Sequence, residues 1–362
     1  MFLKQLSLIN FKNHPEFEAK FSEKINCFVG NNGMGKTNLL DAIHYLSFCK
    51  SYFNTVDSQN IRHNEGFFVV QGLFEKDFEE SEVYCGLKRH QKKIFKRNKK
   101  EYARLSEHIG LYPLVLISPN DAELINGSSE ERRRFLDGVI SQYDKAYLER
   151  LVSYNQVLKQ RNALLKHFAE THQFDSETLD IWDEQLVLHG REIVHIRTEF
   201  LKQFVPLFNR YYEFISNSRE TVSLHYINSL GERDFKTALL TNLSRDRAVQ
   251  YTTAGPHRDD LEFTLDNFSL KKFASQGQQK SYLLALKLAQ FEFIKEKKFT
   301  KPLLLLDDVY DKLDEERFTK LLQMVSGEGF GQVFITDTHP DRMNQLLNQM
   351  QIEHTIFLVD GK

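Results

Sequence analysis

At 362 residues the chain exceeds the usual size of one hydrophobic core, so two domains, or one large domain with an insertion, are expected. A formal net charge of -2 and a pI of about 6.7 exclude a global positive field that holds a polyanion nonspecifically, so any nucleic-acid contact must be local. Cys27, Cys49 and Cys85 form no CxxC pair, which argues against a disulfide framework or a zinc knuckle, and no run approaches the roughly 18 apolar residues of a membrane span; a cytoplasmic protein is expected.

Phe2 to Phe11 alternates apolar and polar residues as a half-buried strand does, and Ile25 to Val29 is a short apolar run that ends at a glycine. Leu39, Leu40, Ile43 and Leu46 then recur at helical spacing, so the glycine-rich stretch joins a strand to a helix. Residues 67 to 117 return to short β-like runs broken by charged turns, a second sheet or a long meander. From about Asp121 to Arg247 the periodicity is helical. Leu179, Trp182, Leu186, His189, Ile193, Ile196 and Phe200 advance by threes and fours, while Leu151, Leu158 and Leu165 repeat every seven. These helices form either an antiparallel hairpin or an ordinary helical subdomain, and Pro206 predicts a kink or break. Past Gly255 come a helix from about Gln278 to Lys297, a strand Leu303 to Leu306, a helix near Glu315 to Val325 and a strand Gln332 to Thr336. The expected division is 1–122, a helical arm over 123–247, and 248–362, with the arm splitting a single head.

Gly30-Asn31-Asn32-Gly33-Met34-Gly35-Lys36-Thr37 matches G-x-x-x-x-G-K-[ST], the phosphate-binding loop. Its glycines permit left-handed turns in which successive backbone N–H groups converge on phosphate oxygens. Lys36 brings a cation to the β- and γ-phosphates, Thr37 offers a hydroxyl to Mg2+, and the helix that follows aims its positive end at the nucleotide. Leu303 to Leu306 followed by Asp307 and Asp308 has the form of a Walker B strand: four leucines suit a strand buried on both faces, Asp307 would hold Mg2+, and Asp308 would orient or deprotonate the attacking water. Between the two lies Ser275-Gln276-Gly277-Gln278-Gln279-Lys280, opening a helix, where free backbone donors and a hydroxyl make an anion site. Taken singly these segments also read as a capped core strand and an ordinary N-cap; the phosphate-binding loop in the same chain favours the functional reading.

This order resembles the ABC/SMC superfamily, with Asp314 in KLD as its D-loop. Within it, Phe11-Lys12-Asn13-His14, the GNNGMGKTNLLDAI segment, Ser118-Pro119-Asn120-Asp121, Gly127 with Arg132 to Asp137, Lys159-Gln160-Arg161-Asn162 and Gly255-Pro256-His257-Arg258-Asp259-Asp260 are similar to the RecF family over nearly the whole chain. The resemblance implies an α/β ABC/SMC-type P-loop ATPase head of mixed β-sheets and helices with an inserted all-helical arm, and ATP and Mg2+ as cofactors. It places Lys12, Asn13 and Gly30 to Asn38 around the nucleotide. It implies that Ser275, Gly277, Gln278 and Lys280 complete the site of a second copy, so that ATP holds a homodimer together, and that Thr338 or His339 senses the γ-phosphate. Double-stranded DNA, gapped or junction DNA and a RecR-type mediator that helps load the RecA recombinase are the implied partners, with no membrane. Two departures stand out. Lys12 occupies a place where relatives often have Arg, which weakens bidentate phosphate contact but keeps the charge, and Asp308 one where transporter ATPases carry Glu, the shorter side chain suggesting slow turnover; DNA stimulation is what the resemblance implies.

The basic run Lys88 to Lys100, with Lys92, Lys93, Lys96 and Arg97, suits DNA phosphates or equally a charged sheet edge that resists aggregation. Arg132, Arg133 and Arg134 are a second DNA candidate, the alternative being that they ion-pair with Glu130 and Glu131. A transporter ATPase subunit predicts a short helical insertion and a long-armed SMC-like structural ATPase a longer one; an arm of over a hundred residues fits neither. No physical reason for the GPHRDD segment is apparent from sequence.

Overall fold

The computed structural model describes residues 1–216, 220–231, 233–309 and 315–360. In chain order these form β1 (Phe2–Phe11), β2 (His14–Lys20), β3 (Ile25–Val29), α1 (Lys36–Phe48), β4 (Phe67–Lys76), β5 (Glu79–Lys88), β6 (Ile94–Arg97), β7 (Lys100–Glu101) and β8 (Leu114–Ile117). Then follow α2 (Glu123–Asn126), α3 (Ser129–Tyr143), α4 (Lys145–Thr171), α5 (Ser176–Ser216), β9 (Val222–Ile227), α6 (Phe235–Val249), β10 (Asp260–Leu265), β11 (Phe268–Ser269) and α7 (Leu270–Phe273). The chain closes with α8 (Gln276–Lys298), β12 (Leu303–Leu306), α9 (Glu315–Ser326), β13 (Val333–Asp337), α10 (Pro340–Gln349) and β14 (His354–Leu358). Two compact units result, one of Met1–Asp121, Phe214–Asn217 and Gln276–Lys362, the other of Ala122–Glu213 and Ser218–Ser275.

The first unit holds two sheets. A parallel sheet runs in the order β14-β3-β13-β12-β8, and β3, β12 and β8 are buried at every position, which is why their sequences are unbroken apolar runs. An antiparallel sheet runs β2-β1-β4-β5-β6-β7, and its strands alternate because one face is covered. Helix α1 packs on both sheets, and one apolar cluster runs from Leu3 and Phe68 through Leu39 and Ile43 to Leu303 and Phe334. Gly72 in β4 allows that approach, since a Cβ there would lie 2.5 Å from Leu46 Cδ1. Phe11, Phe28, Phe68, Phe74 and Phe95 are all buried in this unit, whereas Phe78 and Phe299 are exposed.

The second unit differs from the expected all-helical arm ending at 247. It runs on to Ser275 and adds to α2–α7 a three-stranded antiparallel sheet, β11-β10-β9. Strand β9 pairs with β10 across the whole of α6, from Asp260 opposite Ile227 to Leu265 opposite Val222. A pairing that skips a helix leaves no local periodicity to read. Nor does Pro206 break its helix: α5 runs unbroken from Ser176 to Ser216. Proline removes one backbone donor, but Phe200, Leu201 and Phe204 before it and Phe208 and Tyr212 after it are buried, and that packing holds both flanks in one helix.

Two buried histidines of the first unit, His44 and His108, weaken it toward acid, against the opposite contribution of a buried carboxylate, Asp307. The His44 ring faces Lys50 O at 3.1 Å, and His108 lies between Tyr102 Oη and Leu46 O. Burial pushes the pKa of each down to about 4. A depressed pKa means that the folded form favours the neutral ring, so its stabilisation is complete above about 6.5 and is lost as the pH falls toward 4. Lowering the pH from 7 to 5 is expected to cost about 2 kcal/mol per ring. Urea midpoints that coincide at the two pH values would refute this.

Candidate nucleotide-binding site

The parallel sheet sets strands β3, β13 and β12 side by side, so their carboxyl ends open at one place. Gly30 leaves β3 so close to Val359 that a Cβ would stand 2.4 Å from Val359 O. At Gly35, with φ 99°, the backbone is left-handed and enters α1; a Cβ there would meet the Asn13 amide at 2.4 Å. Asn13 fills that space and clasps the loop: Nδ2 donates to Met34 O at 3.0 Å, and Oδ1 accepts from Asn38 Nδ2 at 2.7 Å. His14 adds a bond from its Nε2–H to Gly35 O at 3.1 Å, a role the sequence did not suggest although His14 stood in the motif. Asn31, Asn32 and Gly33 are exposed at the crown of the loop. Lys36 is buried, its Nζ donating to Gly30 O and Asn31 O at 2.8 and 3.0 Å inside the loop.

Across from Lys36 and Thr37 stands the carboxylate of Asp307, which is 3% exposed. Its Oδ1 accepts two hydroxyls, Thr37 Oγ1 at 2.8 Å and Thr336 Oγ1 at 2.9 Å. Burial raises the Asp307 pKa to about 6, and the two hydroxyl bonds oppose that rise. Thr336 also accepts the backbone N–H of Asp308 at 2.9 Å, and Asp308 adopts a left-handed φ of 46°. Thr336 was not singled out from sequence; the available signal was a hydroxyl near the end of an apolar strand. The residues fit the implied groups: a lysine and loop backbone N–H groups for phosphate, and a hydroxyl with a buried carboxylate for a hard divalent cation.

Thr338 and His339 follow β13 directly, and the His339 N–H donates to Asp337 Oδ1 at 2.7 Å. Gly277, Gln278 and Lys280 lie in the first turns of α8, whereas Ser275 closes the second unit; Ser275 and Lys280 are exposed. Asp314 lies outside the described residues. Ser118 and Asp121 form a turn in which Asp121 accepts the Ser118 N–H at 2.8 Å and pairs with Lys287 at 2.7 Å, a structural role.

Several cations turn out to be committed elsewhere. Lys12 was expected at the nucleotide, but its ammonium lies 2.6 Å from Asp41, a fully buried carboxylate that requires a counter-charge. Lys93 was expected at DNA, yet its Nζ is held inside by Asp57, Cys49 O and Tyr45 Oη at 2.6 to 3.1 Å. Lys92 remains exposed, Lys96 lies over the Tyr84 ring, and Arg97 donates to Ser81 Oγ at 3.3 Å.

Arg132, the other DNA candidate, forks onto Asp260 at 2.7 and 3.0 Å and also donates to Leu124 O and Gly127 O. Arg133 donates to Asp259 O at 2.6 Å; of the three arginines only Arg134 pairs with Glu130 and Glu131. The GPHRDD segment thereby acquires a physical account. Gly255, at φ 127°, fits against Phe235 and Tyr154 where a Cβ would clash, Pro256 O accepts from Arg197 at 2.9 Å, and His257 binds Tyr154 Oη at 2.6 Å. Buried Asp259 accepts from Ser229 N and Tyr226 Oη, while Asp260 holds Arg132. It is a polar knot within the second unit.

The phosphate-binding loop, the acidic strand beside it and the sheet order define a P-loop ATPase head of the ABC/SMC class. A family model described as RecF/RecN/SMC N terminal domain matches residues 2–356, and the chain belongs to that family. Among its relatives, the DNA replication and repair protein RecF of Flavobacterium johnsoniae is 52% identical over 357 residues, covering 99% of each chain. A solved structure described as the recombination mediator protein RecF-ATP in the RecFOR pathway is similar with a TM-score of 0.88 and 34% identity, over 93% of this chain and 92% of that one. The Smc head domain of Pyrococcus furiosus shares the fold at a TM-score of 0.57 and 17% identity, over 99% of this chain and 94% of that one.

Proposed function

We propose that this chain is a slow, Mg2+-dependent ATPase that binds DNA in replication and recombinational repair, dimerising around ATP near gaps or single-strand/double-strand junctions. The observation that carries the reading is Asp307 Oδ1 gathering the Thr37 and Thr336 hydroxyls beside Lys36. In this reading Thr37 and Asp307 hold Mg2+, and Lys36 with the loop N–H groups binds the β- and γ-phosphates. Bound Mg2+ supplies charge neutralisation of the triphosphate. Asp308, fixed through its N–H on Thr336, orients the attacking water.

Ser275, Gly277, Gln278 and Lys280 then complete the triphosphate site of a second copy, and Thr338 or His339 senses the γ-phosphate. The names of the relatives support a role in repair, exercised in the cytoplasm with a RecR-type mediator that helps place the RecA recombinase. Lys92 and Lys96, on or beside the outer strands of the antiparallel sheet, are the DNA candidates that keep this role.

The test measures ATP-dependent dimerisation and DNA binding for three proteins. Wild type is expected to dimerise with ATP, Lys36→Ala to lose nucleotide, and Ser275→Arg to bind ATP but remain monomeric. Normal dimerisation of Ser275→Arg would sink the shared-site reading.

A further inference from the structure

Two asparagine–glycine steps occur in the chain, Asn32-Gly33 at the crown of the phosphate-binding loop and Asn126-Gly127 at the end of α2. Such a step is chemically labile, because a glycine nitrogen carries no Cβ neighbour that hinders its turning back on the asparagine side chain. The fold holds the two steps differently.

At Gly127 the nitrogen is engaged: its N–H donates to Glu123 O at 2.8 Å, and a Cβ on this residue would stand 2.5 Å from the same oxygen. Asn126 is tied as well, its carbonyl accepting Lys271 Nζ at 2.8 Å. The Gly33 N–H, by contrast, makes no hydrogen bond among the described residues, and neither does the Asn32 side chain. Both residues are exposed to water, and a Cβ built on Gly33, at φ 83°, meets nothing within 4 Å. The nitrogen thus has room to move and no acceptor to hold it. Lys36, with Nζ on the carbonyls of Gly30 and Asn31 at 2.8 and 3.0 Å, adds a cation inside the loop that favours an ionised amide.

We propose that Asn32 is a site of spontaneous covalent modification, through which the nucleotide-free chain disables its own phosphate-binding loop. The Gly33 nitrogen gives its proton to solvent and bonds to Asn32 Cγ; the bond from Cγ to Nδ2 breaks, and Nδ2 takes up a proton and leaves as ammonia. Water then opens the cyclic imide, at Cγ to give aspartate or at the backbone carbonyl to give isoaspartate. Overall one water is consumed and one ammonia released, with no change of oxidation state. Either product puts a carboxylate into a loop that must receive a polyphosphate, and isoaspartate also lengthens the backbone by one carbon. Protection by nucleotide rests on the function proposed above: a phosphate held by the loop N–H groups engages the attacking nitrogen, so the loop ages when it is empty.

The test incubates the full chain in mildly alkaline buffer, with and without Mg2+ and a non-hydrolysable ATP analogue at about ten times its Kd. The peptides carrying Asn32 and Asn126 are then compared by mass spectrometry. Without nucleotide, the Asn32 peptide is expected to gain the mass of an amide-to-acid conversion and to accept label from an isoaspartyl methyltransferase, while the Asn126 peptide stays intact. The analogue is expected to slow conversion about tenfold, since only the empty fraction reacts. Asn32→Gln, which must close a larger ring, is expected to lose the label. Asn32→Asp is expected to bind the analogue about tenfold more weakly or worse. An intact Asn32 peptide, conversion no faster than at Asn126, or unchanged affinity in Asn32→Asp would each overturn the proposal. Conversion that a bound analogue does not slow would overturn the protection alone, whereas an analogue that fails to bind at all would sink the nucleotide reading and leave the modification standing.

Discussion

Asp307→Asn is expected to abolish most ATP hydrolysis and at the same time to make the folded chain more stable. The carboxylate is buried with a pKa raised to about 6 from 3.8. A raised acid pKa means that the folded state favours the protonated form; that stabilisation is complete below 3.8 and lost as the pH rises through about 6. Near pH 7.5 the ionised group is thus a net cost to the folded chain. Asparagine keeps the oxygen that accepts Thr37 and Thr336 but carries no charge, so a gain on the order of 1–3 kcal/mol is expected without nucleotide. Hydrolysis loses the anion proposed to hold Mg2+ and should fall by about a hundredfold or more. Single-turnover hydrolysis and urea denaturation of one preparation read both effects. Retained hydrolysis would remove Asp307 from the cation site, whereas loss of stability would show that the charge serves the fold.

Asp246→Ala should have the largest effect on stability. Arg161 of α4 is completely buried and divides its donors between Asp183 of α5 at 2.5 Å and Asp246 of α6 at 2.7 Å, with Thr252 Oγ1 at 3.0 Å. Asp246 further accepts Thr253 N and Oγ1 at 2.9 and 2.6 Å. Truncating it leaves an under-neutralised, fully buried guanidinium and removes the acceptor of the Thr253 N–H and hydroxyl. Removing one partner of a buried pair costs about 3–5 kcal/mol. Trp182, the sole tryptophan, stands in α5 next to Asp183 and reports the unfolding of this unit directly. A loss below about 1 kcal/mol, the range of exposed pairs, would show that the network relaxes or hydrates.

The motif Lys159 to Asn162 shows how a sequence signal changes meaning in three dimensions. It marked a family resemblance, yet its physical content is the buried Arg161 cluster together with Asn162, whose Oδ1 accepts Thr252 N and Oγ1 at 2.8 and 2.7 Å. The same holds for the GPHRDD segment, whose partners Tyr154, Arg197 and Tyr226 lie far away in the chain. Charge runs misled for a related reason. Lys93 and Arg132 read as surface cations, and only the positions of Asp57 and Asp260 show that they are internal counter-ions.

The nucleotide loop was legible because its requirements are local: left-handed glycines, a lysine and a hydroxyl must be contiguous to surround phosphate, and a strand buried on both faces must be continuously apolar. The chain by itself therefore determined the phosphate-binding loop, the acidic strand and the split of the head by an insertion. Only the tertiary structure decided which cations are committed to internal ion pairs, that Thr336 ties Asp307 to Asp308, that the second unit carries a sheet, and that Arg133 donates to a backbone carbonyl, Asp259 O. Each of these depends on which side chains meet across folded distance, and an ion pair or a ladder between remote segments leaves no periodic trace in the order of residues.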